Sequence, residues 1–169
     1  SKNYDIIIKN NILECAGVYI RNVSSLSKSV LIISDSNVAP LYINTLSETL
    51  KKQDFKVSTF IFNAGENSKN FSTVEKIYKK LFEEHITRSD LIVSLGGGVT
   101  GDISGFVAST YLRGINYVQI PTSLLAQIDS SIGGKTGVNS EYGKNLIGTF
   151  WQPSLVIIDP QLLLTLPKS

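Results

Sequence analysis

The stretch "IPTSLLAQIDSSIGGKTGVNSEYGKNLIGTF" (120–150) packs an unusual set of polar groups into a short span. Asp129 offers an acceptor, Lys135 and Lys144 offer cations, and Asn145 offers an amide. Together they suit a small molecule carrying hydroxyls, a phosphate or a carboxylate; taken singly, each lysine is equally a solvated surface charge. Gly133 and Gly134 precede Lys135 and permit close backbone approach. Upstream, "LIVSLGGGVTGDISGFVASTYLRG" (91–114) runs an apolar segment into Gly96, Gly97 and Gly98 and then into a helical pattern. Glycines between a strand and a helix can turn their N–H groups, and the partial positive charge of the helix N-terminus, toward a phosphate or pyrophosphate. The plainer alternative is a tight turn. Asp102, four residues past Gly98, calls for a ligand hydroxyl or amide unless it only complements the helix dipole.

Two more acidic positions follow apolar runs. Asp35, in "ISDSNV", can accept hydrogen bonds from ribose hydroxyls with Asn37 assisting, or cap a helix starting near Val38. In "NAGENSKN" (63–70), Glu66 and Lys69 either reach a nucleotide or remain solvated loop charges. The order is not that of the G-x-G-x-x-G fingerprint, in which glycines open the first βα unit and the acid follows. Here the acid comes early and the glycines late.

These residues must be held by elements. Strands are predicted over 4–8, 29–34, 56–62, 90–95, 116–120 and 154–159. Helices are predicted over 38–52, with Pro40 in the first turn, and over 71–85, where Ser72 and Glu75 suggest a capping box and a start at Thr73. A third is predicted over about 98–112, opened by the glycines. Apolar strands alternating with helices indicate an α/β domain, a Rossmann-like mostly parallel sheet with helices on both faces, whose ligands bind at the carboxyl ends of the strands.

At 169 residues and 42% hydrophobic composition, the chain can bury one core. A net charge of +2 without a basic run argues against a nucleic-acid partner. No run approaches the roughly 18 apolar residues of a membrane span, and no secretory leader pattern is expected. Cys15, the one cysteine, reads as a small core residue and fits a reducing cytoplasm. His85, the one histidine, sits beside Glu83 and Glu84 at a helix end and reads as structural. Catalytic zinc takes three protein ligands, and no such set is expected in this chain.

The ordered strings "GGGVTGDISGFVASTYLRGI", "IPTSLLAQIDSSIGGKTGVN", "GKNLIGTFWQP" and "DPQLLLTLP", with weaker agreement at "SDSNV" and "AGENSK", resemble the 3-dehydroquinate synthase family. The resemblance implies that residues 1–169 form an NAD-binding N-terminal domain, and that a helical C-terminal domain absent from this chain carries the ligands of a divalent metal, zinc or cobalt. It places Asp35 and Asn37 at the adenosine ribose, and Gly65, Glu66 and Lys69 along the nucleotide. It places Gly97, Gly98, Val99, Thr100, Gly101 and Asp102 at the pyrophosphate and nicotinamide, joined by Thr122, Ser123, Leu125, Lys144 and Thr165. Asp129, Lys135 and Asn145 would face substrate, with Asp129 and Lys135 also near the cofactor. Arg113 would reach a substrate phosphate in the neighbouring subunit of a homodimer. Ser123 departs from the threonine common in the family but keeps the hydroxyl. The implied reaction converts 3-deoxy-arabino-heptulosonate 7-phosphate to 3-dehydroquinate and phosphate by oxidation, elimination, reduction and aldol closure. A related sugar-phosphate cyclase, a metal-dependent polyol dehydrogenase and a non-catalytic nucleotide-binding domain remain alternatives.

Overall fold

The computed structural model describes residues 3–130 and 133–165, the side chains of Asp129 and Ser130 excepted. Its centre is a six-stranded parallel sheet in the order β1-β8-β5-β4-β2-β3. The strands are β1 (Asp5–Ile8), β2 (Ser29–Asp35), β3 (Lys56–Phe62), β4 (Leu91–Gly96), β5 (Asn116–Pro121) and β8 (Leu155–Ile158). A separate antiparallel hairpin joins β6 (Lys135–Ser140) to β7 (Gly143–Phe150). Four α-helices complete the layers: α1 (Ala16–Val23), α2 (Ala39–Lys52), α3 (Phe71–Glu83) and α4 (Gly98–Thr110).

The continuously apolar strands are explained by two cores. Successive residues of a strand face opposite sides. Val30 and Ile32 pack with Ile20 of α1 and Leu46 and Leu50 of α2. Leu31 and Ile33 pack with Ile77 and Leu81 of α3 and Ile103 and Val107 of α4. No face of the central strands is left for water, so alternation disappears from their sequence.

The connections leave β2 and β4 in opposite directions, to β3 on one side and β5 on the other. The crevice between their carboxyl ends is therefore the topological switch point of the sheet, where open α/β sheets take ligands. Asp35 ends β2 and Gly96 ends β4.

Several boundaries differ from the sequence expectation. Helix α3 begins at Phe71, not Thr73, because the side chain of Asn70, not that of Ser72, accepts from Thr73 N at 3.0 Å. It ends at Glu83, and His85 adopts a left-handed φ of 55° just beyond. Helix α4 stops at Thr110, where Leu112 and Arg113 turn left-handed at φ 50° and 68°. Helix α1 and the β6–β7 hairpin lie outside the elements that the sequence predicts. The first is only 8 residues long, and the second is rich in glycine and polar residues that score poorly as strand. Cys15 is half-buried against the first core, and its thiol meets Ile12 O at 3.5 Å.

The opposite end of the β2–β4 pair is fastened by Asp90, which is 5% exposed. Its Oδ1 accepts from Lys28 N and Ser29 N at 3.1 and 3.0 Å. Its Oδ2 accepts from Thr87 N and the Thr87 hydroxyl at 2.8 and 2.9 Å. Burial pushes the carboxyl up, but these hydrogen bonds outweigh it and hold the group below the usual aspartate value. With the folded value depressed, the stabilisation is present above the unfolded value and is lost as pH falls through the folded one. Asp90→Ala is expected to lower the unfolding free energy by about 3 kcal/mol in a urea titration at neutral pH; a loss below about 1 kcal/mol would contradict the fastening role.

Candidate cofactor and substrate site

At the switch point, Asp35 divides its carboxylate between two tasks. Its Oδ1 accepts from Asn37 N and Val38 N at 2.8 and 2.9 Å, which shapes the turn into α2. Its Oδ2 meets the Thr100 hydroxyl at 3.5 Å. The residue lines a cleft of about 480 Å³ with Asn37, Gly97, Thr122, Ser123 and Thr165. Tyr42 closes one wall by donating to the Thr165 hydroxyl at 2.6 Å.

The three glycines play different parts. A Cβ on Gly96 would lie 2.4 Å from the Thr100 hydroxyl, so the end of β4 needs glycine to let α4 approach. Gly97 has φ −81° and ψ −162°, open to any residue, and a Cβ there would meet Ser123 Oγ at an ordinary 3.5 Å. Nothing among the described residues demands glycine at 97; the residue lines the open cleft, where the lack of a side chain leaves its backbone accessible. The helical ladder begins with Gly101 N donating to Gly97 O at 3.1 Å. The amides of Gly98, Val99 and Thr100 precede it and have no intrahelical acceptor. They form the donor set that a pyrophosphate takes at a helix N-terminus. Gly101 offers no such amide, and a Cβ on it would meet Gln119 Oε1 at 2.7 Å, so its place is in packing.

The second half of the site forms around Lys69, which is 3% exposed and not the solvated charge its loop suggests. Its ammonium donates to Asp102 Oδ2 at 2.6 Å and to Asn145 Oδ1 at 2.5 Å, with Glu66 Oε1 at 4.0 Å. Gly65 enters this turn at φ 116°. The partner that Asp102 calls for is thus a protein cation. Burial pushes the Asp102 carboxyl above the usual value, against the opposing pull of Lys69; Glu66 adds to the rise.

Asp102, Lys135 and Asn145 line a common cavity of about 420 Å³ between α4 and the hairpin. Lys135 is exposed at its edge. Lys144 does not join them: it lines a separate hollow of about 800 Å³ with Glu66, Lys69 and Tyr142. Leu125 is 68% exposed in the segment after β5. Asp129 falls in the π-helical turn Ala126–Ser130, but its side chain lies outside the described residues. Arg113 is exposed beyond the end of α4 and lines neither cavity. Asn139 bonds to several of these residues and is not among those the sequence singles out. The signal available was two asparagines flanking the Gly143 turn in "VNSEYGKN".

Among the described residues no cluster of three or more His, Cys, Asp or Glu could hold a metal ion. None of their helices is long and apolar enough to cross a membrane.

Residues 59–169 match the family described as 3-dehydroquinate synthase N-terminal. The 3-dehydroquinate synthases of Clostridium kluyveri and Streptococcus pneumoniae are 51% and 53% identical over 165 residues, covering 98% of this chain and 46% of each relative. The chain thus spans just under half the length of these relatives. Among solved structures, 2-deoxy-scyllo-inosose synthase complexed with carbaglucose-6-phosphate, NAD+ and Co2+ superposes with TM-score 0.91 at 30% identity, covering 99% of this chain and 45% of that one. The 2-epi-5-epi-valiolone synthase of Streptomyces hygroscopicus, with NAD+ and Zn2+ bound, gives 0.87 at 35% identity over 98% of this chain and 45% of that one. Glycerol dehydrogenase from Schizosaccharomyces pombe, at TM-score 0.77 and 18% identity over 99% of this chain and 41% of that one, shares the fold alone. By sequence and by fold, the chain belongs to the 3-dehydroquinate synthase family.

Proposed function

We propose that this chain is the NAD-binding domain of a 3-dehydroquinate synthase, a phosphate-eliminating carbon–oxygen lyase acting in the cytoplasm as a homodimer. The observation that carries the reading is identity of 51–53% over nearly the whole chain with proteins of that name, against 30–35% with cyclases of other sugars. The substrate would be 3-deoxy-arabino-heptulosonate 7-phosphate and the products 3-dehydroquinate and inorganic phosphate.

The donor set at α4 and the open face of Gly97 fit a dinucleotide. Asp35 and Asn37 would hold its adenosine ribose, the amides of Gly98, Val99 and Thr100 its bridging phosphates, and Thr122 and Ser123 the adjoining wall. NAD, when bound, supplies reversible hydride transfer, so the conversion is redox-neutral overall. Lys135 presents a cation to the substrate's anionic groups at the mouth of the cavity that it shares with Asp102 and Asn145. The Asn145 amide orients a hydroxyl there, while Lys69 keeps the Asp102 carboxylate in place. Arg113 lies outside that cavity, and its role on substrate would be exercised in the neighbouring subunit. The described residues do not fit a divalent metal; its ligands would come from another domain.

The test of the reaction is to supply the complete protein with the heptulosonate phosphate, NAD and zinc. Equimolar phosphate and dehydroquinate without accumulation of NADH is expected. NADH accumulating without phosphate would establish a polyol dehydrogenase, and phosphate from a different sugar phosphate alone would establish a related cyclase. On the cofactor side, Gly97→Ala is expected to weaken NAD binding at least about tenfold by calorimetry, or about 1.4 kcal/mol. Its unfolding free energy should stay within about 1 kcal/mol of the parent. Undiminished affinity would remove the cofactor from that cleft.

A further inference from the structure

Asn139 occupies a break in the hairpin. Val138 pairs with Ile147 and Ser140 with Gly143, so Lys144, Asn145 and Leu146 stand opposite Asn139 alone. Such bulges re-aim a side chain at the cost of a ladder hydrogen bond. Here Asn145 takes up the irregularity with φ 57°, a left-handed conformation that asparagine tolerates better than most residues. Its N–H, turned out of the ladder, donates to Asn139 Oδ1 at 3.0 Å. The other end of the same amide donates from Nδ2 to Glu66 Oε1 at 2.9 Å. The Asn139 backbone N–H donates to Lys69 O at 2.9 Å. One residue thus binds the main chain of Asn145, the main chain of Lys69 and the side chain of Glu66.

We propose that Asn139 is a positioning residue: it clamps the bulged backbone of Asn145 to the Glu66–Lys69 turn, so that the Asn145 amide stays aimed at the Lys69 ammonium and into the cavity shared with Asp102 and Lys135. An unsupported left-handed residue would relax toward ordinary strand geometry, and strand alternation would turn its side chain to the opposite face. The Asn145 oxygen would then leave the Lys69 ammonium. Asn139 acts through these bonds to Asn145 and to the Glu66–Lys69 turn and does not line the cavity that Asn145 shares with Asp102 and Lys135. The inference rests on the proposed role of Asn145 toward substrate.

Two measurements test it separately. In this chain, the Asn145 backbone N–H should exchange slowly with solvent, at least about tenfold faster in Asn139→Ala, and near the parental rate in the double variant Asn139→Asp with Glu66→Gln, which keeps the acceptor and lets the new amide donate across the lost bond. An Asn145 amide indifferent to Asn139→Ala overturns the clamp whatever the protein's activity. In the complete protein, Asn139→Ala should raise KM for the heptulosonate phosphate at least about tenfold with little change in thermal midpoint. Added to Asn145→Ala, it should cost no more than about twofold further. Additive losses, or a harmless Asn139→Ala beside a damaging Asn145→Ala, overturn the positioning role while leaving the site reading intact. A harmless Asn145→Ala with the exchange effect present overturns the proposal through the site reading instead.

Discussion

The ammonium of Lys69 is the constraint on which the site depends. It is almost wholly withdrawn from water and shared between a carboxylate on α4 and an amide on the hairpin. A charge in that position is costly unless its partners are fixed. The three segments that meet there, the turn after β3, the first turns of α4 and the bulge of β7, are far apart in sequence. The ion pair therefore acts as a registration point: the cleft beside Gly97 on one side and the cavity beside Lys135 on the other are held against a common wall.

That wall is possible because of how α4 leaves the sheet. Gly96 lets the helix start close to β4, and a Cβ on Gly105 would lie 2.5 Å from Thr136 Cγ2, so only glycine lets the hairpin lie along the helix. The hydroxyls of Thr136 and Thr149 continue the contact, Thr149 donating to Ser109 Oγ at 2.8 Å. The same glycine-rich helix thus presents its N-terminal amides to one cleft and its flank to the floor of the other. Cofactor and substrate would meet across a single element.

The sheet was legible because its cause is local. Strand β3 falls on 56–62 as expected, and the apolar runs of β2 and β4 announce burial on both faces. The glycine-opened helix was equally plain, since strand, glycines and helix lie consecutively. What stayed hidden was tertiary. Lys69 sits in a string of small and polar residues that reads as solvated loop, and only the hairpin folding over it removes it from water. The hairpin itself was obscured because its glycines serve close contact with α4 and weaken its own strand signal. The cap of α3 fell two residues early because Asn70 satisfies Thr73 N from a position the S-x-x-E pattern passes over.

The Lys69 registration point is tested most directly at the Asp102 carboxyl. Desolvation raises it and Lys69 opposes that rise. Carbon-13 detected titration of this chain should find Asp102 above the usual aspartate value, and higher again in Lys69→Met, where the opposing cation is gone. Because the folded value is the higher one, stability should fall as pH rises through the window between the unfolded and folded values. An Asp102 that titrates at the same pH with and without Lys69 would mean that the two groups do not share a desolvated contact, and the registration point would not exist.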